Sequence, residues 1–381
     1  AASPALQAFE AQLRAAECAS RQARAFSNPD LLFEAEDFGG DESLAITSQR
    51  TLSLSQSIEW FGKRSARIGA AERGRDVAAR DLERLRRDLL AEVDRAFATL
   101  LGAQERLAIA EQNAETAREV TGAVQSLVEA GEASPVEAAR AESDEALTSI
   151  DLGSAGRDLD LARRSLASLL GDVVPAFSAA AGSLAATVPL PDRDVALARL
   201  AELPDLTRWD AEIARQTALV TYARRHALPD LTLTVGTRSF AGIAGRKWVA
   251  GLALPIPLFT QFDGARGEAG ARRQQAGFER SAEDLRVRTE LLSAYSALSR
   301  ALDEVHVLRD EVLPRAEKVY DALNEGYRRG KFRLLDLLET RRTLAQTRLR
   351  YVDALVRLNL ANADLQRLMP DPANDNYGVD R

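Results

Sequence analysis

The chain has 381 residues with 50 basic and 57 acidic side chains, and its net charge of -7 argues against nucleic acid as the main partner. Two histidines and one cysteine can build neither a His/Cys metal cage nor an internal disulfide framework. No motif for a catalytic nucleophile, a phosphate loop or a redox pair is present, so we expect no enzyme, no cofactor and no metal site. No apolar run reaches the roughly 18 residues that a transmembrane helix requires.

The chain opens with a predicted helix over 4–25, and a helix of the same kind is predicted over 204–226. Both are framed by prolines in the first turn and just past the end, namely Pro4, Pro29, Pro204 and Pro229. No signal peptide precedes the first helix, so the start is expected to be a trimmed one that lies inside the mature protein.

Two runs of alternating polar and apolar residues follow each opening helix, and each run predicts a β-strand. These runs and their loops are 31–36 and 51–60 around Gly39-Gly40, and 231–236 and 248–258 around Gly242 to Gly245. Strands of about ten residues can cross a bilayer when they are tilted. The alternative is a small soluble hairpin that packs on helices.

Each pair of strands leads into a very long helical stretch, 63–128 in the first half and 265–329 in the second. Their narrow apolar stripes favour coiled-coil-like packing between neighbouring helices, and Pro314 is predicted to kink the second stretch. A turn at Gly131 or Gly330 should follow, and then a returning helix of about 36 residues, roughly 54 Å long.

The two halves of the chain align with each other. Residues 3–31 match 203–231 at an offset of 200, and Gly131 matches Gly330 at an offset of 199. Chance similarity between Ala/Arg-rich helices is the alternative, but two anchors at nearly equal offset favour a duplication. The predicted organisation is a first repeat, a linker, a second repeat and a polar tail: 1–171, 172–202, 203–370 and 371–381.

The strand count constrains the assembly, because four strands per chain cannot close a membrane barrel and single-chain barrels start at about eight. Three chains would supply about twelve strands and a lumen wide enough for solutes. The predicted fold is therefore mainly α with a small β part. It combines a long α-helical barrel with a transmembrane β-barrel shared by a homotrimer.

Several segments give the chain its family resemblance. They are NPDLLFEAEDFGG (28–40), LSLSQSIEWFGKR (52–64), LPDLTLTV (228–235), LALPIPLF (252–259) and EVLPRAEKVYDALNEGYRRGKFRLLDLLETRR (311–342). With them the sequence resembles the TolC family of outer-membrane channels, in the heavy-metal branch that serves RND-type pumps. The resemblance extends from Pro4 to Met369.

This resemblance implies a location, an assembly and partners. Three protomers would form a β-barrel in lipid of the bacterial outer membrane and a helical barrel in the periplasm. The helical tips would dock a periplasmic adaptor, which connects the channel to an inner-membrane pump. Relatives are often anchored by lipid on an N-terminal cysteine, and Cys18 lies inside the opening helix instead.

The resemblance also assigns roles to residues. The adaptor-docking tips would be Gly131, Glu132, Ala133, Ser134, Pro135, Gly330, Lys331, Phe332 and Leu334. The alternative is a pair of ordinary helix hairpins, in which each glycine forms a left-handed cap.

A second set of residues corresponds to the periplasmic aperture of the family. Asp336 and Glu339 match its acidic ring, and six carboxylates in a trimer would attract cations. Tyr327 and Glu137 match positions that link neighbouring helices in the closed channel, whereas Arg140 stands where an acidic residue would complete the ring. The alternative is a solvated helix face.

The resulting functional hypothesis is a passive exit duct of a tripartite efflux pump. The inner-membrane partner would supply the energy, because no site for energy coupling is found in this sequence. The resemblance favours heavy-metal cations as the substrate. The alternatives are the exit channel of a type I protein secretion system and a soluble coiled-coil scaffold.

Overall fold

The computed structural model describes residues 3–36, 48–185, 188–241, 243–259 and 262–369. Its eight α-helices within these ranges are α1 Pro4–Ala23, α2 Lys63–Glu129, α3 Pro135–Leu169, α4 Arg193–Ala198, α5 Pro204–His226, α6 Asp263–Val307, α7 Leu313–Arg328 and α8 Leu334–Arg367. Its strands are β1 Asp30–Glu36, β2 Gln49–Ile58, β3 Leu231–Phe240 and β4 Arg246–Ala253. Among the described helices, none has both the length and the apolar character needed to cross a bilayer.

The chain divides into two compact units, and each takes segments from both halves of the sequence. One unit contains the described parts of 1–7, 84–203 and 285–381. The other contains those of 8–83 and 204–284, and the β-strands belong to it. The sequence repeats and the compact units therefore divide the chain in different ways.

The four strands form one antiparallel sheet in the order β1-β2-β3-β4. Its central pairing joins β2 from the first half of the chain to β3 from the second, with Ser53 opposite Gly236. A Cβ atom on Gly236 would lie 2.6 Å from the carbonyl oxygen of Leu52, so the two strands approach closely only because this residue is glycine. The two predicted hairpins are thus parts of a single sheet.

The two faces of this sheet differ from those of a water-soluble sheet. Thr51 and Ser53 are buried, whereas Leu52 and Leu54 are 48% and 50% exposed. On β3, Val235 is 54% exposed. Apolar side chains on the outside and small polar ones on the inside are the pattern expected of a sheet whose outer face meets a non-aqueous environment.

The last predicted strand is too long. The prediction placed it over 248–258, but β4 ends at Ala253, and the segment that contains Pro255 and Pro257 is not a strand. Proline has no N–H to donate to a neighbouring strand, so the hydrogen bonding of the sheet stops before Pro255. The alternation of apolar residues continues beyond this point and therefore does not mark the end of the strand. Gly39, Gly40 and Gly242 lie outside the described residues.

The unit that contains 84–203 and the described part of 285–381 has a core built from leucines and valines. Leu291 and Leu298 on α6 are fully buried, and Val305 follows at the same seven-residue spacing, as the predicted coiled-coil-like packing requires. Leu285, six residues before Leu291, is exposed. The core also includes residues of α8 and of the segment before α5, namely Leu200, Leu203, Leu358, Leu365 and Leu368.

The segment predicted as a linker contributes to this core. It contains α4 and a short 3-10 turn, Leu200–Glu202. Asp192 caps α4 because its side-chain oxygen accepts hydrogen bonds from two backbone N–H groups of the first turn. Leu184 and Ala196 are buried with the helices of the unit, so described residues of 172–202 contribute to the core, while others such as Val173 are exposed.

Pro314 coincides with a break in the α-helical pattern. Between α6 and α7, residues Leu308–Val312 form a π-helical turn. Proline cannot donate the hydrogen bond that the carbonyl four residues earlier would accept in an α-helix. A π turn is one of the known ways in which a helix accommodates such an irregularity.

Candidate functional site

The two helix hairpins end in turns of the same geometry. Gly131 and Gly330 have φ of +75° and +70°, the left-handed conformation predicted from the sequence. After the first glycine, Glu132 N donates to Leu127 O at 2.8 Å; after the second, Lys331 N donates to Gly326 O, also at 2.8 Å. These hydrogen bonds satisfy a carbonyl at the end of each outgoing helix.

Each returning helix starts with a carboxylate six residues after its glycine. Glu137 Oε2 accepts from the backbone N–H of Ser134 at 3.0 Å, and Asp336 Oδ2 accepts from that of Arg333 at 3.3 Å. Both carboxylates therefore cap their own helix. The family resemblance assigned Glu137 and Asp336 to the periplasmic aperture. Within one chain, the structure shows both carboxylates in local hydrogen bonds at the start of their own helices.

Glu339 is placed differently from Asp336. It lies one turn further along α8 and is exposed, and its carboxylate has no ion-pair or hydrogen-bond partner among the described residues. Arg140 occupies the equivalent position of α3 and is also exposed. The two hairpins thus have similar capping carboxylates but opposite charges one turn later.

Tyr327 lies behind the second tip, where the two hairpins meet. Its ring packs against a buried cluster of Val124, Ala141, Leu334 and Leu338, which come from α2, α3 and α8. Burial raises the pKa of the Tyr327 phenol, and the nearby Glu137 carboxylate raises it further. Leu334, predicted as part of the docking tip, is therefore a buried residue of this cluster.

Phe332 folds back over the end of α7. A Cβ atom on Gly326 would lie 2.3 Å from Phe332 Cδ2, so the ring rests on a position that only glycine leaves free. The ring is still 46% exposed. Gly326 was not singled out from the sequence, although a second glycine one turn before Gly330 was a signal that could have identified it.

A buried ion pair joins the two returning helices above the tips. Arg341 on α8 pairs with Asp144 on α3, and both side chains are less than one-tenth exposed. Arg342 donates to the other Asp144 oxygen at 3.0 Å. Desolvation lowers the pKa of Arg341, and the charge of Arg342 adds to this effect. No local sequence pattern had singled out this group.

Further contacts show that the two hairpins lie in register. Arg348 on α8 bonds to Gln112 on α2 at 3.1 Å. Arg106, further from the tip on α2, pairs with Asp353, further from the tip on α8, at 2.7 Å. Counted along the chain, residues in contact are nearly equally far from their own tip glycines. Both tips therefore lie at the same end of these helices.

The arrangement offers contact surfaces and charge at one end of the hairpins. Within the described ranges, no group of three or more His, Cys, Asp or Glu side chains is placed to hold a metal ion. The exposed residues at the tips include the acidic Glu132 at one turn and the basic Lys331 beside Phe332 at the other. Such a surface is suited to binding another protein.

Comparison with known proteins identifies the family. The family described as outer membrane efflux protein matches residues 1–172 and 197–369. The chain belongs to this family. Its members are outer-membrane proteins, so the resemblance inferred from the sequence motifs is confirmed, and the soluble coiled-coil scaffold is not supported.

Two relatives carry heavy-metal resistance in their names. The cobalt-zinc-cadmium resistance protein CzcC of Cupriavidus metallidurans is 33% identical over 364 residues, which are 96% of this chain and 86% of CzcC. The nickel-cobalt-cadmium resistance protein NccC of Alcaligenes xylosoxydans is 30% identical and aligns with 80% of this chain and 68% of its own length.

Solved structures confirm the fold. A crystal structure of CusC superimposes with a TM-score of 0.81 at 18% identity and covers 97% of this chain and 90% of CusC. The outer membrane protein VceC of Vibrio cholerae gives a TM-score of 0.79 at 19% identity, over 96% of this chain and 93% of VceC. The predicted mainly helical fold with a small sheet is therefore that of the TolC-like channels.

Proposed function

We propose that this protein is the passive exit duct of a tripartite efflux pump and that it conducts heavy-metal cations out of the cell. The observation that carries the proposal is the 33% identity with CzcC over nearly the whole chain. A duct needs no reaction of its own, so the protein acts without catalysis and without a cofactor. The energy comes from its inner-membrane partner.

The duct is a homotrimer whose twelve or so strands close one β-barrel in the outer membrane. This assembly is supported by the four-stranded sheet, which is too small to close alone. It is also supported by the exposed apolar residues Leu52, Leu54 and Val235, which would face lipid, and by the buried Thr51 and Ser53 of the other face.

The proposed partners are a periplasmic adaptor at the two tips and, through it, an RND-type inner-membrane pump. The turns at Gly131 and Gly330 support this because they have the same backbone geometry and lie at the same end of the hairpins. The exposed part of Phe332 and the neighbouring Lys331 provide an apolar and a basic contact. Ser134 and Pro135 start the returning helix of the other tip.

The proposed aperture is formed at the start of the returning helices α3 and α8, just beyond the two tip turns. Glu339 supplies its free acidic charge, since Asp336 and Glu137 are bonded within their own turns. Tyr327 holds the hairpins together at this level through the buried cluster. Three copies of Glu339 around an axis would attract cations and disfavour anions.

The proposed organisation is a duplication with repeats over 1–171 and 203–370. The matching tip geometry and the register of the two hairpins support it. The linker over 172–202 and the polar tail over 371–381 are the remaining parts of this organisation.

Cellular metal content tests the function. Deletion of the gene in the organism that encodes it should raise cell-associated cobalt, zinc or cadmium and lower growth in their presence. The wild-type gene should restore both, and fractionation should recover the protein with the outer membrane. Unchanged metal content, or recovery in the inner membrane, would contradict the proposal. Loss of pyoverdine export instead would favour the role named for the pyoverdine export outer membrane protein OpmQ of Pseudomonas putida, a 29% identical relative.

A further inference from the structure

α3 has two apolar faces, and the second is largely exposed, although Leu147 at its edge also lines an open groove with residues of α2 and α8. Leu159, Ala162 and Leu166 are buried against α2. On another side of the helix, Leu147, Ile150 and Leu161 lie within a wedge of about 60°, because positions three and fourteen apart are offset by only about 60° and about 40° around a helix axis. These three side chains, called here the α3 stripe, are between 52% and 65% exposed.

A second exposed stripe runs along α6 and α7. It consists of Val307, Val312 and Val319, which are between 37% and 51% exposed. Val307 and Val312 would lie about 140° apart around an α-helix axis. The π turn Leu308–Val312 separates them instead, and its extra residue per turn brings Val312 back toward the face of Val307. Val319 follows Val312 at the seven-residue spacing of that face. These three side chains are called here the valine stripe.

The two stripes lie on the helices that flank α8. α8 contacts α3 through Arg342 and Asp144 at 3.0 Å, and it contacts α7 through Arg348 and Glu317 at 3.1 Å. The α3 stripe and the valine stripe therefore belong to two different neighbours of α8, which α2 also contacts. Different surfaces at the two flanks of one chain are what a head-to-tail ring of identical chains requires.

The two stripes also lie at similar distances from the tip glycines of their hairpins. Counted along the chain, Ile150 is nearly as far from Gly131 as Val312 is from Gly330. Since the two tips lie at the same end of the hairpins, Ile150 and Val312 would face each other between copies whose tips are aligned.

Charged residues beside the stripes complement each other. Arg157 and Asp158 lie on α3, and Asp303 and Arg300 lie on α6, at similar distances along the chain from their respective tip glycines. All four are exposed, and none has an ion-pair partner in the described part of the chain. A basic and an acidic residue on each flank, at matching levels, favour one register of docking.

We propose that the α3 stripe of one copy docks against the valine stripe of a second copy, with Arg157 facing Asp303 and Asp158 facing Arg300. Repetition of this contact closes the ring, so the proposal rests on the homotrimer proposed above and specifies its seam. The occupant is a second copy because the two surfaces complement each other in apolar character, in charge and in level.

Disulfide trapping tests the seam. In a Cys18→Ser background, which removes the exposed native thiol, Ile150→Cys combined with Val312→Cys should give linked dimers and trimers on a non-reducing gel after mild oxidation. Each single variant should give no trimer. The matched control is Leu161→Cys with Val319→Cys, which uses the same stripes at levels that differ by roughly 28 Å and should not link.

The native mass of the same samples in detergent separates the two proposals. Trimers by mass without linkage of Ile150→Cys to Val312→Cys would overturn the seam and leave the homotrimer standing. A linked monomer of altered mobility would also overturn it, since it would place the two stripes together within one chain. A native mass equal to that of a monomer would overturn the proposed homotrimer as well. In a second arm, Arg157→Glu should reduce the trimer fraction several-fold, and addition of Asp303→Arg should restore it.

Discussion

Asp144 and Arg341 come from opposite halves of the sequence and form a buried ion pair between the returning helices of the two hairpins. Each lies about three turns beyond its own tip glycine. Desolvation offsets much of the attraction in such a pair. We therefore expect its main effect to be the selection of the level at which the two hairpins face each other, because any other register would leave a buried charge without its partner.

Removal of one partner from this pair should be strongly destabilising. Arg341→Leu leaves Asp144 with only the exposed Arg342, and we expect a loss of about 3–5 kcal/mol of unfolding free energy. Thermal denaturation in detergent, followed by circular dichroism, would measure the change. The double variant Asp144→Leu with Arg341→Leu should recover much of the loss, since it leaves no buried charge. A single variant as stable as the wild type would contradict this interpretation.

The phenol of Tyr327 predicts a dependence of stability on high pH. Its pKa is raised by burial and by Glu137, so folding favours the neutral form. The group therefore contributes its full stabilisation below about pH 10, its unfolded pKa, and loses it as the pH rises through the folded value. Melting temperatures between pH 8 and pH 11 should fall less steeply in Tyr327→Phe than in the wild type. Equal slopes would show that Tyr327 remains in contact with solvent.

Much of the fold follows from local sequence patterns. The long helices, both glycine turns and three of the four strands lie close to their predicted positions because proline, glycine and residue periodicity act over a few residues. The predicted end of β4 was wrong because apolar alternation continues through Pro255 and Pro257, whereas hydrogen bonding to β3 ends before these prolines.

The features that the sequence did not predict depend on pairing over long distances. Neither Asp144 nor Arg341 is unusual in its own helix, and only the register of the two hairpins brings them together. The role of Asp336 illustrates the same limit. Its spacing from Gly330 matched an aperture carboxylate of the family, and the same spacing also makes it the capping residue of α8.

The tip glycines should be intolerant of side chains for a backbone reason. A Cβ atom on Gly330 meets no atom within 4 Å, so the cost of Gly330→Val comes from its φ of +70° and should be about 1–3 kcal/mol at this turn. We expect a distorted tip, loss of adaptor binding and loss of metal efflux, with the trimer still assembled. Gly330→Asn is the matched control, because asparagine adopts this conformation more readily. Normal efflux by Gly330→Val at wild-type protein levels would show that this turn does not dock the adaptor.

The two carboxylates of the proposed aperture should differ in their effect on conduction. Asp336→Asn keeps an oxygen that can accept the hydrogen bond from Arg333 N, and it removes a charge already engaged in its own turn. Glu339→Gln removes a free, exposed charge from each protomer. In planar bilayers, Glu339→Gln should therefore reduce cation preference and weaken block by divalent cations more than Asp336→Asn, and the double variant should be most affected. Trimer assembly, measured by native mass, should remain unchanged in all three variants. If block and selectivity are unaltered in the double variant, both carboxylates lie on a solvated outer face of α8, and the aperture must be formed by other residues.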